Sequence, residues 1–145
     1  MPVGVHRVTL RLMSETFHPS GMSARELLDF WYAHVWAEDI DYRAIVGAID
    51  DQGPIRGRDA LRRYMEDWVE TVDGLELSPE ETIDAGGGTF VNIVRLTGRM
   101  RGGDSPVVSR VAIVVTLRDG KMVRGREYAS REEALRAAGL PVSGE

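Results

Sequence analysis

Glu127 is the residue best set to move a proton. It lies in the run Lys121–Tyr128 and, by strand alternation, shares a face with Val123 and Gly125. A carboxylate on a face that lines a pocket is partly desolvated, which favours its neutral form and raises its proton affinity toward the range useful near neutral pH. The competing role is a structural ion pair with Arg110 or Arg95, or a place in solvent. Asp50 and Asp51 end an apolar run before Gln52, Gly53 and Pro54, where acidic residues are equally ordinary turn formers. Trp31, Tyr42, Tyr64 and Trp68 offer hydroxyl and indole donors to a ligand carbonyl, or simply serve as core. Asn92 and Arg110 are candidates to position a ligand. His34 is a candidate proton shuttle, but a lone histidine near a helix end is more often a polar surface residue.

Other chemistries are absent by composition. There is no cysteine, which excludes disulfides, thiolate nucleophiles and cysteine-ligated metals. No His, Asp and Glu spacing suggests a metal site, and His6 and His18 fall near the terminus and in a loop. Gly86, Gly87 and Gly88 lie between two strands with no helix following, so they are not a phosphate cradle. The net charge of −5, with arginines scattered, argues against a nucleic-acid partner. No run reaches the ~18 apolar residues of a membrane span, and the first residues lack the apolar core of a signal peptide. A cytoplasmic protein of 145 residues, with one domain and no membrane association, is the expectation.

These residues need elements to hold them. Val5, Val8 and Leu12, with Leu10, Met13 and Phe17 on a neighbouring stripe, predict a helix over 4–17. Ser23 and Glu26 form a capping box before Leu27, Leu28, Trp31, Tyr32 and Val35, a second helix. From Ile40 to Ile49 the period shortens to that of a strand. Gly57 precedes a third helix in which Leu61, Tyr64, Met65, Trp68 and Val69 share a face. Residues 75–83 make a strand that Pro79 suits to an edge or a bulge, and residues 89–101 make another.

Ser109–Leu117 and Met122–Tyr128 then form a hairpin about Asp119-Gly120, and Ser130 caps a short terminal helix. Val111, Ile113, Val115 and Leu117 are apolar on one face of the central strand. Ala112 and Val114 are apolar on the other. That second face predicts cover by another subunit, a homodimer through the sheet, or else by a loop or the terminal helix. The layout is α+β, an antiparallel meander with helices gathered on one face.

Four segments carry a resemblance across nearly the whole chain: Gly53–Tyr64, Glu81–Gly86, Leu117–Tyr128 and Arg131–Leu140. They resemble the SnoaL-like polyketide cyclases of the nuclear transport factor 2 superfamily, a branch near the ketosteroid isomerases. The resemblance implies a cystatin-like roll, in which a cone-shaped, curved antiparallel sheet is covered by N-terminal helices around a pocket for a small apolar organic ligand. It also implies acid/base work by one carboxylate without metal or cofactor, commonly in a dimer.

Glu127 matches the acidic position of the cyclases on the last strand, and Asp50 and Asp51 fall near the general base of the isomerases, with a different spacing to the following Gly57. Two departures count against more specific assignments. No tyrosine and protonated aspartate pair can be placed as an isomerase oxyanion hole. Arg99-Met100-Arg101 stands where the limonene epoxide hydrolases carry Arg-any-Asp. The expected function is a cofactor-free isomerase, cyclase or hydratase acting on a polyketide- or steroid-like compound. The alternative is a non-catalytic ligand-binding or accessory dimerisation module.

Overall fold

The structure is a computed structural model that describes residues 18, 19 and 21–142; the helix expected over 4–17 lies outside them. Six strands form one mixed sheet in the order β2-β1-β6-β5-β4-β3. They are β1 Trp36–Arg43, β2 Ile55–Arg56, β3 Val72–Gly86, β4 Thr89–Met100, β5 Pro106–Arg118 and β6 Lys121–Tyr128. Helices α1 Ala24–Phe30 and α2 Arg58–Thr71 pack on the inner face, and α3 Arg131–Ala137 packs on the outer one.

The four strands from β3 to β6 are the expected antiparallel meander. Turn chemistry fixes it. Asp119 and Gly120 both take positive φ, 54° and 78°, so β5 and β6 are joined by a two-residue turn whose twist matches the strands. Pro79 sits on the edge strand beside a register shift between Pro79 and Glu81, where its missing N–H costs least. The first strand, by contrast, runs parallel to β6, with Tyr42 opposite Gly125. The sheet is therefore mixed and not wholly antiparallel.

Two boundaries also differ from expectation. The Ser23–Glu26 capping box forms, with bonds of 3.0 and 3.2 Å, but α1 stops at Phe30 and passes through a π-helical turn, Trp31–Val35. The first strand begins at Trp36 and ends at Arg43, so most of the alternation read over 40–49 is loop. Its cause is Asp51, whose carboxylate accepts from the Gly47 and Gly53 N–H groups, both at 2.9 Å, and from Arg43. Such local bonds offer the backbone an alternative to the ladder.

The dry outer face of β5 also has its explanation within the chain. Ala134 and Leu135 of α3 form a buried cluster with Val91, Ile93 and Ala112, and Val114 packs against it. The terminal helix supplies the cover for which a second subunit had been the first expectation.

Candidate active site

The inner face of the sheet, α1, the π-helical turn and α2 enclose a cavity of about 360 Å³ with a mainly apolar lining. The π-helical turn contributes Trp31 and Val35 to its wall, while α2 contributes Tyr64, Met65 and Trp68. A broader concavity of about 600 Å³ lies on the outer face, framed by the Arg110–Glu80 and Arg131–Glu81 pairs. Of the candidate residues it holds Arg110 alone. Glu127 and Asp50 both line the inner cavity.

Glu127 faces this cavity. One cross-strand row runs Thr82, Asn92, Ile113, Glu127, and all four line the wall. Val123, expected on the same face, is displaced by a register shift between the β5–β6 pairs Thr116–Arg124 and Leu117–Met122. Met122 lines the cavity in its place, as follows when one unpaired residue reverses the alternation.

The Tyr42 hydroxyl donates to Glu127 Oε2 at 2.5 Å. Burial pushes the Glu127 carboxyl up to about 7; the Tyr42 hydrogen bond opposes this and the nearby Asp50 charge adds to it. Desolvation thus outweighs hydrogen bonding here. Burial and then the charge of Glu127 raise Tyr42 well above the usual phenol range, and they raise Tyr64 too. Both tyrosines remain donors throughout the neutral range.

Asp50 enters from the loop after β1. Its Oδ2 accepts from the Tyr64 hydroxyl at 2.7 Å and from the Trp68 indole N–H at 3.1 Å. The Tyr42 and Tyr64 rings lie 6.2 Å apart, so the two carboxylate-tyrosine pairs adjoin. Neighbouring aspartates therefore differ in role. Asp50 reaches the cavity, while Asp51 ties the loop together and is held down at about 2 by the Gly47 N–H, Arg43 and the Gly53 N–H.

The SnoaL-like domain family matches residues 25–125, some two-thirds of the chain. This chain belongs to that family. Structural comparison agrees at the level of fold. A SnoaL-like polyketide cyclase from Jannaschia superposes with a TM-score of 0.66 at 18% identity, covering 100% of this chain and 96% of that one. A protein with a ketosteroid isomerase-like fold from Catenulispora acidiphila, solved with trimethylamine, gives 0.59 at 16% identity and 95% coverage of both. A Mycobacterium tuberculosis protein in complex with estradiol-17beta-hemisuccinate gives 0.60 at 19% identity, covering 72% of this chain and 82% of that one. No curated protein matches the sequence.

In this SnoaL-like chain the cavity gathers Glu127, Asp50, Trp31, Tyr42, Tyr64, Trp68 and Asn92 from six segments of sequence. Arg110 is the exception among the candidates. Its neighbours Val111 and Ile113 line the cavity, so its own side chain leaves by the outer face, where it donates to Glu80 at 2.6 and 3.3 Å and is 65% exposed. It reaches the rim alone and does not pair with Glu127, nor does Arg95, which stands opposite Arg110 across the ladder.

His34 is exposed, and its carbonyl accepts from Lys121. His6 lies outside the described residues. His18 and Thr82 also line the cavity, and neither is a site candidate by sequence. His18 touches the Trp31 ring at 6.4 Å between centroids and buries its Nε2 without a partner. Thr82 is buried next to Asn92; its alternation with Glu81 and Ile83 was the available signal. Among the described residues no group of three metal-ligating side chains gathers, and no helix is long and apolar enough to cross a membrane.

Proposed function

We propose that this protein binds a polyketide- or steroid-like compound in the inner cavity and moves a proton on it without a cofactor, with Glu127 as the acid/base. The observation that carries this reading is the Tyr42–Glu127 hydrogen bond inside an apolar cavity. A carboxyl pushed up to about 7 exchanges its proton readily in both directions near neutrality. As carboxylate, Glu127 takes a proton from the carbon next to a ligand carbonyl. The C–H electron pair becomes the enolate double bond, and the negative charge passes to the carbonyl oxygen. Glu127, now neutral, is a weaker acceptor, so the Tyr42 hydroxyl is released to donate to that oxygen. Return of the proton to a different carbon completes an isomerisation; attack of the enolate carbon on a second carbonyl, whose π pair moves to its oxygen and takes the proton back from Glu127, completes a cyclisation.

Asp50 stays the acceptor of Tyr64 and Trp68, and its fixed charge raises the proton affinity of Glu127. The neighbour solved with estradiol-17beta-hemisuccinate supports a ligand of this size and character. Two copies pairing through the part of the outer face that α3 leaves open, where Val108 is 66% exposed, is the assembly this reading carries; sedimentation velocity tests it.

The test is Glu127→Gln against a panel of enolisable polycyclic ketones, with proton exchange at the α-carbon followed by NMR. Wild type should exchange, and the variant should bind within a few-fold yet fail to exchange. Equal exchange by the variant removes the mechanism. Binding without exchange in the wild type leaves the non-catalytic binding module.

A further inference from the structure

The proposed mechanism uses one end of the Thr82, Asn92, Ile113, Glu127 row and leaves the other unexplained. Asn92 and Thr82 are direct cross-strand partners on the cavity face, and Thr82 is only 8% exposed. Among the described residues neither the Asn92 amide nor the Thr82 hydroxyl bonds another side chain or the backbone, and neither is a fully buried orphan, so both open on the cavity. Polar groups that open on an apolar cavity and have no protein partner are free to bond a ligand, and two side by side make a place where one can supply the bonds. Between them and Glu127 stands Ile113, a flat apolar step. Two strand spacings separate Asn92 from Glu127, roughly 10 Å between backbones.

We propose that Asn92 and Thr82 form a second polar anchor, so that the ligand is a neutral fused-ring compound carrying oxygen functions at opposite edges. One oxygen sits at Tyr42 and Glu127 and the other at Asn92 and Thr82, with the ring system lying over Ile113. The chemistry of the anchor sets the class. An amide and a hydroxyl each donate and accept and bring no charge, which suits a hydroxyl or a ketone. A carboxylate there would gain no cation and would share the cavity with Glu127 and Asp50. The span sets the size, since oxygens within hydrogen-bond reach of both anchors lie about 5 to 10 Å apart, the width of two or three fused six-membered rings.

This inference deepens the function proposed above and rests on its cavity, and its test separates the two. The probes are 2-naphthol, whose single hydroxyl stands for an enol at Glu127, and 2,6-dihydroxynaphthalene, which adds a hydroxyl at the far edge. Isothermal titration of the wild-type chain should show the diol binding about tenfold more tightly, because a site built to hydrogen-bond a hydroxyl discriminates against its absence. Asn92→Leu should erase that preference while leaving 2-naphthol within about twofold. Thr82→Val should act in the same direction and covers the case in which the Asn92 variant fails to fold. No preference in the wild type, or a preference that survives both variants, overturns the second anchor alone. Failure of both probes to bind wild type overturns the anchor together with the ligand cavity on which the proposed function depends.

Discussion

Tyr42 reaches Glu127 by lying across Gly125. The two are opposed in the parallel register of β1 and β6, and a Cβ at 125 would stand 2.5 and 2.6 Å from Tyr42 Cδ2 and Cε2. Absence of a side chain two residues before Glu127 is what lets the phenol cross to it. Gly125→Ala should therefore displace Tyr42 at an overpacking cost of about 1–3 kcal/mol, a fall in Tm of roughly 3–9 °C for a chain of this size. Thermal unfolding checks it, and an unchanged Tm would show that the ring is not held there.

Tyr42→Phe isolates the hydroxyl from the ring. The hydrogen bond from Tyr42 lowers the proton affinity of Glu127 against the larger effect of burial, so its loss should move the carboxyl further above about 7. With Glu127 acting as a base, kcat/KM rises with pH as the carboxylate forms. The midpoint of that rise should therefore shift upward in the variant, and the plateau should drop about 10²-fold through loss of one enolate donor. A pH profile of α-proton exchange reads both. A midpoint that stays in place or falls contradicts the assignment.

The same burial ties folding stability to pH. The Glu127 carboxyl holds its proton to about 7 when folded, against 4.5 for the ordinary group. Between these values the folded state binds more protons than the unfolded state. Its contribution is thus fully present below pH 4.5 and is lost as pH rises through about 7, on the order of 3 kcal/mol in all. Glu127→Gln cannot ionise. Its Tm relative to wild type should climb from pH 5 to pH 8, and a flat difference would mean that the carboxylate is solvated.

Much of this fold was legible in sequence, because it is written in local rules. The Asp119-Gly120 turn, the Ser23–Glu26 box and Pro79 at an edge each follow from the conformational demands of a few residues. Strand alternation made Glu127 a candidate, but which sheet face lines the cavity was not legible from it. Nor was the first strand legible. Its partner is β6, some 80 residues away, and parallel pairing leaves no turn signal between the two. Residues 44–49 keep the alternation of a strand, yet the Asp51 carboxylate gathers their backbone into a loop. Arg110 keeps to the rim of the cavity because it alternates with Val111, and alternation puts neighbours in a strand on opposite faces. Asn92 and Thr82 became a pair only once β3 and β4 were aligned.

Asp51 is the residue whose removal tests how the site is held. It binds the N–H groups of Gly47 and Gly53, at φ 83° and 80°, and Arg43 closes over it at 3.2 Å. Asp51→Ala should speed hydrogen exchange at the Gly47 and Gly53 amides. It should also lower turnover by loosening Asp50 from Tyr64 and Trp68. Asp51→Asn retains one acceptor oxygen, so it should protect only one of the two glycines. The carboxyl is held at about 2; the order it imposes is present above pH 3.8 and is lost as pH falls through about 2. Across pH 5 to 8 it is constant, so the slope assigned to Glu127 in that window should persist in the Asp51→Asn background. Loss of the slope there would place its origin in the loop instead of the cavity.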